Sequence, residues 1–190
     1  ADRRWDVLPQ QPSLAYDLAQ NRLIVTAAIL QGPVFNAKAD AADKFGSFGG
    51  LVGHELTRAI DAKGALVDAK GELRSWWTPA DKTAWTLLGN RVAAQYGAYE
   101  FPGVKGAKVN GTLTQEENLA DIAGLELAWA AYTAQEPKAK QAQQQGFFRA
   151  WSALWAQQLS PNEAVRRLTA DIRAPGMWRS NGTLANLPAF

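Results

Sequence analysis

Residues 78–99 place the strongest constraint on the fold. Thr78-Pro79 sets an N-cap residue before a proline at the first helical position, where the missing N–H is not needed. Behind it Trp85, Leu88, Val92, Tyr96 and Tyr99 follow at intervals of 3, 4, 4 and 3, which puts them on one helix face. Similar patterns predict an Ala/Leu-rich helix over about 115–132 and another over about 144–159, with Phe147, Trp151, Leu154 and Trp155 to one side. Ser160-Pro161-Asn162-Glu163 has the capping-box form and opens a helix through Val165, Leu168 and Ile172. Upstream, Gly49-Gly50 opens a helical stretch with an apolar stripe of Leu51, Val52, Leu56, Ala59 and Ile60, stopped by Gly64.

The β content is small. Arg22–Thr26 is short and rich in β-branched residues, so it reads as a strand, and the glycines at 64 and 71 leave room for a short hairpin. The polar segment up to Pro12 is expected to be extended. The Ala/Lys/Gln run from 134 to 145 and the segment from 103 to 111 are expected to be loops, and the chain after Arg173 irregular. The expectation is one domain over residues 1–190, mainly α with a small β element, its helices sharing one core rich in Trp, Leu and Phe. Trp76, Trp77, Trp151 and Trp155 read as core or loop anchors.

Composition narrows the chemistry. The chain has no Cys, which excludes disulfides, thiolate zinc sites and Cys nucleophiles together. Twenty Lys+Arg against 18 Asp+Glu, spread over both halves, form no basic block, so nucleic acid is not an expected partner. No stretch approaches the ~20 apolar residues of a membrane span. With a single His, any site built on imidazole must use His54.

Residues 54–58 read His-Glu-Leu-Thr-Arg. Zinc peptidases of the gluzincin type need His-Glu-x-x-His on a helix, where positions i and i+4 aim two imidazoles from one face and the Glu serves as general base. Here His54 and Glu55 are present and position 58 is Arg. Taken alone, such a pair reads more simply as a solvated or core-satisfied one. Residues 117–121 read Glu-Asn-Leu-Ala-Asp, placing Glu117 and Asp121 on one face of a second helix. One carboxylate could bind a metal while the other takes the free ring N–H of a ligating His, or both could be solvated.

With these segments in order, the chain resembles the C-terminal catalytic region of the M13, neprilysin-like zinc metallopeptidases. The likeness runs through Tyr16 with Asn21-Arg22-Leu23-Ile24-Val25, then Ala28 to Phe35, Gly49 to Asp61 and Trp76-Trp77-Thr78. It continues through Glu117 to Gly124, Ala174-Pro175-Gly176-Met177-Trp178-Arg179 and Gly182-Thr183-Leu184. The resemblance implies a zincin (gluzincin)-like fold, zinc as cofactor, a peptide or protein ligand, and an extracytoplasmic setting, periplasmic or secreted. It implies His54 and Glu117 as zinc ligands, Glu55 as general base, Asp121 as the residue orienting His54, and Arg179 as a substrate-holding residue. Ser13 stands where the family usually has the Asn that pairs with peptide backbone.

The departures from the family pattern bear on the chemistry. Arg58 occupies the second zinc His position, Arg173 the position of the oxyanion His, and Ser13 that of the Asn. The family's N-terminal helical lobe is not in this sequence, so a separate helical lobe or partner chain is a candidate partner. Arginine stays protonated and has no lone pair for a metal. The expectation is therefore a peptide-binding or structural pseudopeptidase that binds zinc weakly or not at all, with Arg58 paired to Glu117, Asp121 as a candidate second acid, and Arg173 bringing charge to the oxyanion position. The alternative is an active zinc metalloendopeptidase using Glu55.

Overall fold

The computed structural model describes residues 7–190. The two strands, β1 (Leu14–Asp17) and β2 (Arg22–Val25), form an antiparallel pair in which Ala15 faces Ile24 and Tyr16 faces Leu23. Asn21 takes φ +46° in the turn between them, a left-handed conformation that Asn tolerates. β1 is not foreseen in the sequence because Leu-Ala-Tyr-Asp has no β-branched residue and no clear alternation. The segment before it is a turn at Leu8–Gln11 where an extended chain is expected, and residues 1–6 of that segment lie outside the described residues.

A helical rod follows, longer than its sequence pattern. It begins at α1 (Ala41–Lys44), capped by the Asp40 carboxylate, and passes through a π-helical turn at Phe45–Gly49. It then continues as α2 (Gly50–Leu56) and ends in a 3₁₀ turn at Thr57–Ala59. Gly49-Gly50 therefore lies inside the rod and not at its start. The buried face is also not the apolar stripe: Gly50, Gly53, His54, Thr57 and Asp61 are buried, while Leu56 and Ile60 are exposed. Between Gly64 and Leu73 a single bridge joins Val67 to Leu73, with Gly71 at φ +81°.

α3 (Pro79–Ala98) starts with the expected cap. The Thr78 hydroxyl accepts from Asp81 N–H at 3.2 Å and the Asp81 carboxylate accepts from Thr78 N–H at 2.8 Å. Thr78→Ala removes half of this exchange, and a thermal unfolding midpoint about 2–4 °C lower is expected. The buried apolar residues of α3 are Val92 and Tyr96 in its second half, with Trp85 packed half-buried against the same cluster and Leu87 and Leu88 exposed.

α4 (Gln115–Gln135) is the central helix, and α5 (Gln141–Leu154) packs beside its C-terminal half. α4 runs on to Gln135, so the loop shortens to residues 136–140. α5 begins and ends earlier than its pattern suggests, leaving Trp155 to Leu159 non-helical. α6 (Pro161–Ala170) has only half the expected capping box: Ser160 accepts from Glu163 N–H, but the Glu163 carboxylate pairs with Arg166 and Arg167 instead. Val165 and Ile172 are exposed, and Ala164 is the buried residue of α6. The tail corrects the sequence reading most clearly. Residues Gly176–Leu184 form a helix, α7, not an irregular segment. Pro175 and Gly176 look like breakers but stand at its N-terminus, where an N–H is dispensable.

The core is two clusters, not one. The first joins Leu125, Ala128 and Tyr132 of α4 to Phe147, Phe148 and Trp151 of α5 and to Leu184. The second joins Leu119 of α4 to Val92, Tyr96, Phe101, Val109 and Ala174. Both α4 and α7 contribute to both clusters, and each carries buried polar residues between its two apolar ends. These are Asp121 on α4, between Leu119 and Leu125, and Arg179, Ser180 and Thr183 on α7.

Candidate functional site

Two glycines set the site. A Cβ at Gly53 would overlap the backbone of Gly124, and one at Gly124 would overlap the backbone at Gly53 and His54. The rod and α4 therefore cross with backbone against backbone, closer than helices separated by side chains. His54 follows Gly53 directly and is pressed against the α4 face that carries Glu117 and Asp121.

The His54 ring donates through Nδ1 to Asp121 Oδ1 at 2.7 Å. Asp121 is buried and also accepts two bonds from Arg179, Nε to Oδ2 at 2.7 Å and Nη2 to Oδ1 at 2.6 Å. The Arg179 guanidinium in turn lies 3.6 Å above the Trp155 ring. Burial pushes the Asp121 carboxyl upward, but the charge and hydrogen bonds of Arg179, with His54 behind, hold it below the usual carboxylate range.

On the other side of the ring, Arg58 Nη2 lies 3.3 Å from His54 Nε2 and donates to Glu117 Oε1. Its Nη1 is 3.5 Å from Asp61 Oδ2. The expected contact of Arg58 with Asp121 is absent: Asp121 is taken up by His54 and Arg179, and Asp61 is the second acid near Arg58. Glu117 Oε2 is 3.6 Å from His54 Nε2 and 3.2 Å from Arg173 Nε, but no donor meets it with hydrogen-bond geometry. Burial raises the Glu117 carboxyl, and His54 together with the Arg58 guanidinium outweighs it and draws the pKa down to about 2. Burial lowers the His54 pKa, and the hydrogen bond and charge of Asp121, with the Glu117 carboxylate close by, overcome this and raise it. A neutral ring accepts from Arg58 at Nε2, whereas an imidazolium directs that N–H towards Glu117.

The cleft beside these groups is a cavity of about 290 Å³ walled by Tyr16, Glu55, Arg58, Asp61 and Glu117. Glu55 turns towards β1, where its Oε2 accepts the Tyr16 N–H at 3.2 Å. The structure thus brings His54, Glu55, Arg58, Glu117, Asp121, Arg173 and Arg179 into one connected group. Ser13 stands outside it at the head of β1, where its N–H donates to the Thr26 hydroxyl and its carbonyl accepts the Thr26 N–H. Lone pairs suited to a metal are offered by His54 Nε2 and Glu117 Oε2. Among the described residues no three His, Cys, Asp or Glu side chains gather to hold a metal ion.

Sequence reasoning missed the glycine crossing, Asp61 and the place of Trp155 under Arg179. The two glycines left a faint signal as helix-disfavouring residues inside helical patterns. Trp155 left none.

The model of peptidase family M13 matches residues 15–190. Neprilysin-11 of Caenorhabditis elegans is 31% identical over 196 residues, covering 98% of this chain and 23% of its own length. Endothelin-converting enzyme 1 of Bos taurus is 32% identical, covering 98% of this chain and 26% of its own length. The chain thus spans about a quarter of these curated relatives. Among solved structures, the zinc metalloprotease Zmp1 of Mycobacterium tuberculosis in complex with inhibitor superposes with a TM-score of 0.89 at 32% identity, covering 100% of this chain and 30% of its own.

Proposed function

The chain belongs to peptidase family M13, and from that premise we propose that it is a peptide-binding or structural member of the family with an impaired zinc site. The observation that carries this reading is the Arg58 guanidinium, bonded to Glu117 and 3.3 Å from His54 Nε2. Catalytic zinc takes three protein ligands and a water. His54 and Glu117 supply two, and Arg58 brings a positive charge in place of a lone pair. The residues present do not fit a resident zinc, and the missing ligand weakens binding by something on the order of several kcal/mol. Glu55 then has no metal-bound water to act on, and its carboxylate serves as a hydrogen-bond acceptor for β1.

The same premise suggests an extracytoplasmic setting, and the coverage of the relatives suggests a helical lobe or partner chain that completes the cleft. Among the described residues no helix is long and apolar enough to cross a membrane.

The test is metal content beside peptide cleavage. Purified protein is expected to hold far less than one zinc per chain and to show no chelator-sensitive hydrolysis. Arg58→His is expected to tighten zinc by roughly tenfold or more, read by competition with a chromogenic chelator. One zinc per wild-type chain with chelator-sensitive cleavage would instead establish an active endopeptidase, the reading favoured by the place of Glu55 on the cleft wall.

A further inference from the structure

A second cavity, also of about 290 Å³, opens between the end of α5, α6 and the start of α7. Its walls include three guanidinium groups, Arg167, Arg173 and Arg179, against one carboxylate, Asp171, with Trp155 as an apolar side. Two of the three are committed. Arg179 is buried and gives two bonds to Asp121. Arg167 bonds Glu163 at 2.7 Å and lies 3.6 Å from Asp171.

Arg173 differs. Among the described residues its guanidinium has one carboxylate within ion-pair distance, Glu117 Oε2 at 3.2 Å from Nε, which is not met in hydrogen-bond geometry, and Glu117 already receives Arg58 through its other oxygen. The Asp171 carboxylate nearest in sequence is turned to the backbone, with Oδ1 accepting Arg173 N–H at 3.0 Å. Half of the Arg173 side chain is exposed, and among the described residues no bond is recorded for its two terminal nitrogens. Those nitrogens are the edge of the fork that takes a carboxylate by two parallel bonds.

We propose that this cavity receives a carboxylate of the bound peptide and that Arg173 is the specificity-determining residue, so that the domain selects acidic peptides. The inference rests on the peptide-binding reading above and names the ligand class. An acidic side chain and a free C-terminus share the chemistry. Nearby opposite charge has greater effect in a partly enclosed cavity than in water, and salt weakens it.

The experiment titrates the full chain by calorimetry with three short peptides of one backbone sequence. One has a Glu side chain and an amidated C-terminus, one a neutral side chain and a free carboxylate, and one neither charge. A charged peptide is expected to bind roughly tenfold tighter than the uncharged one, the magnitude of one charge-assisted hydrogen bond. The favoured peptide identifies the source of the carboxylate. Arg173→Gln is expected to abolish the difference and Arg173→Lys to retain part of it. Arg166→Gln, which removes an exposed neighbour on α6, is expected to leave it intact and serves as the folded control. Equal affinity for all three peptides, or a preference that survives Arg173→Gln, overturns the proposal and leaves peptide binding standing. No binding by any peptide overturns the peptide-binding reading and this proposal with it.

Discussion

Replacing Asp121 by alanine is expected to cost about 3–5 kcal/mol of stability, measured by chemical denaturation. The carboxylate is buried and accepts three bonds, one from His54 and two from Arg179. Its removal leaves a guanidinium buried without a counter-ion and an imidazole without the acceptor that fixes its tautomer. The loss is larger than that of a surface pair because water cannot replace the missing charge. Arg179→Ala removes the cation instead, so the double variant is expected to lose clearly less than the sum of the two single losses. Additive losses would mean that Asp121 and Arg179 are not coupled, contrary to the geometry.

Gly124→Val is expected to be at least as damaging, by another route. The first side-chain atom would already overlap the backbone at Gly53 and His54. The obstacle is backbone inside a helix and cannot rotate aside, so the rod and α4 must separate. We expect a loss of about 3 kcal/mol or more, equivalent to a fall of roughly 6–12 °C in Tm. Gly146→Ala is a suitable comparison, since a Cβ there meets only Ala42 Cβ at 3.6 Å, an ordinary contact. A Gly124→Val protein that melts with the wild type would show that the helices do not cross as described.

Local chemistry made part of this molecule legible. Thr78-Pro79 names a helix start by itself, and the i, i+4 spacing of Glu117 and Asp121 puts them on one face whatever that face meets. The order of motifs from Tyr16 to Leu184 identified the family. What packs against what was less accessible. The apolar stripe of residues 51–60 misled at Leu56 and Ile60, which are exposed, because the rod is buried largely through glycines and polar side chains that serve the cleft. Pro175-Gly176 reads as an end to structure, yet it begins α7 and so positions Arg179. The partner of Arg58 depended on which carboxylate was still free. Asp121 sits in reach of the same face, but Arg179 arrives from 58 residues downstream and takes it. The sequence did not indicate that competition.

The sharing of Asp121 has a consequence for how a chain like this can change. Arg179 and the His54 ring together satisfy that carboxylate, and Arg58 bonds Glu117 instead, with Asp61 beside it. An imidazole or a guanidinium at position 58 therefore leaves the joint between the two halves of the interior untouched. The joint and position 58 thus meet different carboxylates, Asp121 and Glu117, which uncouples a change at position 58 from the packing of the interior.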